Sequence, residues 1–371
     1  ATSVYDTMVE ALQYKNTHQD PSTGNSRVVT LTEIVDSGSN AGSNDNVSAL
    51  SIASTVTLAA TNDAPTATAG TTLAYSENGT AAVVDNTIAL SDADDSQMAG
   101  ASVTISSGFT SGDILTFTDT ANITGSYNSG SGVLTLSGSD TTANYQAALR
   151  SITYASSSED PTTTATSRTI SWTVTDGNSD GAGAETSTAV TSTINLTAVN
   201  DAPVTTAGAT LAYSENGTAA VIDNTIALSD IDDSQMAGAS VTISSGFTSG
   251  DTLGFTTIGA ISGSYNSSTG VLTLSGTDTI ANYQAALRSI TYASSSEDPT
   301  ATAASRTISW SVTDANSDGA GAQSSSAVTS TINLTATNDT PTATAGATLA
   351  YSENGTAAVV DNTIALSDAD D

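Results

Sequence analysis

Oxygen-bearing side chains gather at four recurring stations: Glu77, the trio Asp92, Asp94 and Asp95, the loop Asp176–Asp180, and the pair Asn200-Asp201. All offer hard oxygen donors. Aspartates spaced by one residue let alternate side chains and carbonyls close around a point, as calcium requires with its about six to eight oxygen ligands. Donors suited to zinc are scarce, since the chain has no Cys and a single His, His18. Acid–base catalysis is a poorer match. Asp92 and Asp94 could form a carboxylate pair, but no His, Lys or Cys follows His18 to partner them. The expectation is a non-enzymatic protein that binds calcium.

The stations recur because the chain does. Asn62–Pro65 (Asn-Asp-Ala-Pro) precedes Glu77, and the same pattern returns at Asn200–Pro203 with Glu215 and, with Thr340 in place of the alanine, at Asn338–Pro341 with Glu353, each time 138 residues on. A fixed long period marks a tandem array. Residues 62–199 and 200–337 agree at about five positions in six. Tyr5, Tyr14, Pro21 and Asp36 fall at the spacings of Tyr145, Tyr154, Pro161 and Asp176, so residues 1–61 read as the back part of a diverged module. Residues 338–371 read as the front part of a further one, and the whole as an excerpt from a longer array.

Thr, Val and Ile recur with period two while Lys, Glu, Leu and Arg are scarce, a composition for strands. A 138-residue repeat is large enough to bury its own core, so beads on a string are expected rather than a continuous solenoid. The formal charge of −32, from 38 acidic against six basic residues, excludes electrostatic binding to nucleic acid or anionic membrane. No stretch resembles a membrane span. Isolated acids such as Asp113 read as solvated surface. Disulfides are impossible, and Lys15, the only lysine, rules out lysine–asparagine cross-links in the full repeats. The remaining candidate for a staple is a metal.

Within residues 62–199, short alternating runs fall at 71–75, 81–84, 87–90, 101–106, 113–117, 123–127, 133–136, 151–154, 168–175 and 189–199. Thr142–Leu149 alone has helical spacing, with Tyr145, Ala148 and Leu149 on one face. Asn128–Gly132 reads as a hairpin loop. Trp172, the tyrosines, Phe109 and Phe117 are expected in the core. The fold class is all-β, as tandem antiparallel β-sandwiches.

The order Glu-Asn, Asp-x-Asp, Val-Thr-Asp and Asn-Asp-Ala-Pro resembles the calcium-binding cadherin repeat, in the bacterial cadherin-like form of giant surface adhesins. The resemblance implies calcium between successive modules. It would place ligands at Asn62, Asp63, Asp92, Asp94 and Asp176 for the first junction, and at Glu77, Asn200, Asp201, Asp230, Asp232 and Asp314 for the second. Glu215, Asn338, Asp339, Asp368 and Asp370 would serve the third. The linker is shorter in acids than the family's fuller form, and no Asp-Arg-Glu station is present; Asp140 and Asp278 are the nearest candidates. The implied setting is extracellular, on a bacterial surface. Two roles stay open: calcium-stiffened stalk modules of an adhesin, or subunits of an extracellular filament in which identical chains pack together.

Overall fold

The computed structural model describes residues 2–21, 26–36, 47–178, 183–316, 319 and 321–370. It divides into two compact units, Ala1–Thr197 and Ala198–Asp371. Asp180 and Asp371, both part of acidic runs in the sequence, lie outside the described residues.

Unit 1 opens with helix α1 (Thr2–Glu10) and an antiparallel hairpin, β1 (Arg27–Val35) with β2 (Val47–Val56). Its main body runs through β3 (Thr66–Thr68), β4 (Thr72–Ser76), β5 (Ala82–Val83), β6 (Ala89–Ser91), β7 (Gln97–Ser107) and β8 (Asp113–Thr116). It continues through β9 (Thr124–Asn128), β10 (Val133–Thr141), α2 (Thr142–Arg150), β11 (Thr153–Ser156), β12 (Ser167–Asp176) and β13 (Val190–Thr197). A six-stranded sheet, β4-β13-β12-β7-β10-β9, and a three-stranded sheet, β5-β11-β8, form a β-sandwich around one core. Every pairing in these two sheets is antiparallel except β4 with β13, which run parallel with Thr72 beside Thr193 and Ser76 beside Thr197.

Alternation explains the core. Along β12 every second residue is buried, which sends Ile170, Trp172 and Val174 inward and leaves the threonines and serines facing out. Trp172, Tyr145 and Tyr154 are fully buried, while Phe109 and Phe117 pack on the core's edge. Each large apolar side chain so buried contributes about 1.5–3 kcal/mol. The helix expected over 142–149 forms as α2, capped by the Thr141 hydroxyl, which accepts from Asn144 N. It lasts one residue longer, to Arg150, whose Nε donates to the Ile88 carbonyl at 2.6 Å. The segment read as one strand broken at Asn78-Gly79 is two strands in different sheets, β4 and β5, so that turn crosses the sandwich.

Asp113 corrects the sequence reading. It is 1% exposed rather than solvated, and Arg168, itself 0% exposed, donates to it through Nε at 2.7 Å. Tyr154 donates to its other oxygen at 2.6 Å. The partner lies 55 residues away, and the pairing arises only when β8 and β12 come together.

A second buried carboxylate was not foreseen. Asp85 Oδ2 accepts from Gly70 N, Thr71 N and the Ser192 hydroxyl, while Oδ1 accepts from the Thr87 N–H and hydroxyl. Trp172 Nε1 donates to the same Ser192 hydroxyl at 3.0 Å, tying the loop to the core.

Unit 2 repeats this sandwich, with β14 (Val204–Thr206), β15 (Thr210–Ser214), β16 (Ala220–Val221), β17 (Ala227–Ser229), β18 (Gln235–Ser245) and β19 (Asp251–Gly254). Then come β20 (Ser262–Asn266), β21 (Val271–Thr279), α3 (Ile280–Arg288), β22 (Thr291–Ser294), β23 (Ser305–Asp314) and β24 (Val328–Thr335). A short pair, β25 (Thr342–Thr344) with β26 (Ala365–Ser367), follows. Asp251–Arg306 and Asp223–Ser330–Trp310 reproduce the two buried networks. No described helix is long and apolar enough to cross a membrane.

Candidate cation sites

In unit 1 the chain entering the sandwich brings Asn62 and Asp63 against two acidic loops. Asn62 Nδ2 donates to Asp176 Oδ2 at 2.8 Å, and Asp63 N donates to Asp94 Oδ2 at 2.9 Å. The loop after β6 is folded by Asp92, whose Oδ1 accepts from Asp94 N and Asp95 N, an Asx turn that points the remaining oxygens to one side. Asp92, Asp94 and Asp95 each present an oxygen within 4.8 Å of the others. Asn62, Asp63, Asp92, Asp94 and Asp176 therefore belong to one connected set. Asn62 Oδ1 and Asp92 Oδ2 are shut off from water with no donor among the described residues.

Unit 2 builds the same arrangement from Asn200, Asp201, Asp230, Asp232 and Asp314. Asn200 Nδ2 donates to Asp314 Oδ2 at 2.9 Å, and Asp201 N to Asp232 Oδ2 at 2.7 Å. Asp233, outside the sequence-derived set, joins it: its oxygen lies with those of Asp230 and Asp232, and its Oδ2 accepts from Asn316 N. Asn200 is 0% exposed, yet its Oδ1 accepts nothing among the described residues. Position 323 is one difference between the two sets. Gln323 Nε2 donates to the Asn200 carbonyl, whereas its counterpart in unit 1 is Glu185, a carboxylate unable to donate.

A further cluster lies within unit 2, where oxygens of Glu215, Glu297 and Asp339 lie within 4.8 Å of one another. Glu215 follows β15, and its N–H continues the parallel ladder to Thr335 O. It is 6% exposed; Oε2 accepts from Thr337 N at 2.8 Å while Oε1, shielded from water, accepts nothing among the described residues. Asp339 N donates to Asp370 Oδ2, Asn338 Nδ2 to Asp339 O, and Asp370 N to Asp368 Oδ1, so the expected residues of the third set are connected. Unit 1 holds Glu77 at the position of Glu215, 5% exposed, with its N–H on Thr197 O.

Glu297, and Glu159 in unit 1, escaped the sequence reading. Asp140 and Asp278, the nearest candidates there, do other work. Each accepts from the Asn four residues on, Asn144 or Asn282, and from the next backbone N–H at the start of α2 or α3. Both are pulled below the ordinary carboxylate range, Asp140 first by the Asn144 side chain and Asp278 first by the Ala260 N–H.

These sets offer oxygen alone, partly stripped of water, with buried acceptors that lack donors. That donor chemistry fits a hard divalent cation such as calcium and suits nitrogen- or sulfur-seeking metals poorly. Electrostatics agree. Burial, then the facing Asp232 carboxylate, pushes Asp230 up to about 7 from its ordinary 3.8, and Asp92 is raised by burial and Asp94. Asp339 is raised by desolvation and then by Glu215 and Glu297. Asp85 and Asp223 go the other way: burial opposes their ionisation, but hydroxyl and backbone donors outweigh it and hold them well below 3.8.

The sign of the pH dependence follows. A raised folded pKa means that the folded state gains a proton before the unfolded one, so its destabilising effect is complete above about 7 and gone below about 4. The depressed carboxylates stabilise above 3.8, and that contribution is lost as pH falls further. Without divalent ions, thermal stability should therefore peak between about pH 4 and 6. Calcium should flatten the alkaline limb, and Asp223→Asn should flatten only the acid limb. Melting curves across pH, with and without chelator, check both.

No protein-family model matches the chain. Over 128 residues, 33% of this chain, it is 35% identical to halomucin of Haloquadratum walsbyi. The chain spans about 1% of that relative's length. Among solved structures it is similar to mouse cadherin-23 EC22–24, at 12% identity and a TM-score of 0.35, over 84% of this chain and 79% of that one. It is also similar to mouse clustered PcdhgC3 EC1–3, at 14% identity and a TM-score of 0.31, over 87% and 81%.

Proposed function

We propose that this chain is a run of spacer modules from a large extracellular surface protein, stiffened by calcium held between successive modules. The observation that carries the reading is the Glu215–Glu297–Asp339 cluster, in which a carboxylate shielded from water keeps one oxygen without a donor. A structure gains nothing by burying such an oxygen unless something else satisfies it. The ligand sets in this reading are those expected from sequence, Asn62, Asp63, Asp92, Asp94 and Asp176; Glu77, Asn200, Asp201, Asp230, Asp232 and Asp314; and Glu215, Asn338, Asp339, Asp368 and Asp370. Asp95, Asp233, Glu159 and Glu297 are added to them.

Further support comes from the near-identity of the two full repeats, since a spacer depends on length and stiffness rather than on distinctive surfaces. Halomucin, of which the similar stretch is 1%, is itself a very long protein. The bound ion would neutralise carboxylates that otherwise repel, and would restrict a linker that alone leaves two modules free to swing. Extracellular sites of this class bind at about 10⁻⁴–10⁻³ M.

Calorimetric titration of the chelator-stripped chain with calcium tests the reading. Saturable binding in that range is expected, with Glu215→Gln losing part of the heat. Absence of binding up to about 10 mM, ten times the weak end of the class, would overturn it.

A further inference from the structure

The two loops that carry Glu215 and Glu297 come from different sheets, and one hydroxyl joins them. Tyr213, the fourth residue of β15, is 3% exposed and stands edge-on to Tyr292, with ring centroids 5.0 Å apart. Its hydroxyl donates to Gly217 O at 2.7 Å and accepts from Ser294 N at 3.2 Å. Gly217 closes the turn holding Glu215, and a Cβ there would meet Ser214 O at 2.7 Å. Ser294 ends β22 and begins the loop that reaches Glu297. At the surface Asn216, in the left-handed region at φ 56°, completes the tie by donating Nδ2 to Glu297 Oε2 at 3.3 Å.

Unit 1 contains the same clamp. Tyr75 donates to Gly79 O at 2.7 Å and accepts from Ser156 N at 3.1 Å, and Asn78 Nδ2 reaches Glu159 Oε2 at 3.1 Å. Tyr351 shows half of it: the hydroxyl donates to Gly355 O at 2.6 Å, and the ring is exposed.

We infer that Tyr213 and Tyr75 are positioning residues for cation affinity: their hydroxyls fix the spacing of two acidic loops before an ion arrives. The inference rests on the calcium reading above. Carboxylates brought together repel, so loops held only by the chain would relax apart, and the ion would then have to supply the cost of closing them. A rigid tie through the core removes that cost. Asn216, bonded directly to Glu297, is the kind of outer partner commonly worth about tenfold or more in affinity, and the tyrosine hydroxyl supports the same two loops from one bond further in.

The test compares calcium titrations of the unmodified chain, the double variant Tyr75→Phe/Tyr213→Phe, and the control Tyr145→Phe/Tyr283→Phe. The control removes two other buried hydroxyl bonds, to Gly138 O and Gly276 O, which lie in β10 and β21 rather than in the loops carrying Glu77, Glu159, Glu215 and Glu297. Melting without calcium is recorded for all three. The expected result is a roughly tenfold weaker affinity in the first variant, unchanged affinity in the control, and similar losses of calcium-free stability in both. Asn216→Gly, which keeps the left-handed backbone and cuts the surface tie, should weaken binding in the same direction whether or not the tyrosine variant folds. Unchanged affinity in the tyrosine variant or in Asn216→Gly, or equal weakening in the control, overturns the inference. A total lack of calcium binding by the unmodified chain overturns instead the reading on which it rests.

Discussion

Asp251→Ala is expected to lower the stability of its sandwich by about 3–5 kcal/mol, a large share of what a domain of this size possesses. The carboxylate accepts from Arg306 Nε at 2.7 Å, Tyr292 hydroxyl at 2.6 Å and Thr248 N at 2.9 Å. Removing it strands a guanidinium with 0% exposure, whose remaining partners are the Ala303 and Pro299 carbonyls and the Thr248 hydroxyl. An unpaired buried charge is the costly product; the pair itself is worth far less, because both ions gave up water to form it. Asp251→Leu combined with Arg306→Met should therefore be much milder than Asp251→Ala. Scanning calorimetry should show an early transition for the single variant, with the other core, built around Trp172, melting at its original temperature. A double variant as unstable as the single one would assign the loss to packing rather than to charge.

Calcium should stabilise by a comparable amount through a different route. A ligand that binds only the folded state adds about 2.7 kcal/mol per site at one hundred times its dissociation constant. Sites near 10⁻⁴ M reach that margin at about 10 mM calcium. Several sites along the chain raise the total, and charge neutralisation at Asp92, Asp230 and Asp339 supplies the physical source of the gain. Magnesium at equal concentration should do less, because it gives up its water reluctantly and demands tighter octahedral geometry. High sodium chloride should also do less, since screening weakens exposed repulsion but leaves the shielded Glu215 oxygen without a partner. Chelator melts in each salt measure the differences.

Much of the fold was legible because strands and core repeat with period two and the chain repeats with period 138. Ile170, Trp172 and Val174 announced one face of β12, and Tyr145, Ala148 and Leu149 the buried face of α2. The parallel pairing of β4 with β13 was not legible, since it joins Thr72 to Thr193 and no local pattern states which strands will meet. The aspartates of the cation sets stood out because their stations recur in every copy, as Asp92 and Asp94 return at Asp230 and Asp232, and the family resemblance grouped them into sets. Glu297 did not, because Ser-Ser-Ser-Glu-Asp-Pro reads as a solvated turn until β22 delivers it beside Glu215. Asp113 was misread for the same reason: its partner Arg168 is distant in sequence, and its burial is a property of the sandwich. Asp85 is a related case, its carboxylate organised by Gly70, Thr71, Thr87 and Ser192.

Thermal unfolding of the whole chain in millimolar calcium and in excess chelator, with small-angle scattering on the same samples, decides whether calcium stiffens these modules. A higher midpoint and a longer, stiffer particle are expected in calcium, with Glu77→Ala or Glu215→Ala moving both observables part of the way toward the chelated values. Identical midpoints and identical scattering in the two conditions would contradict calcium stiffening, and would make the acidic stations solvated turns.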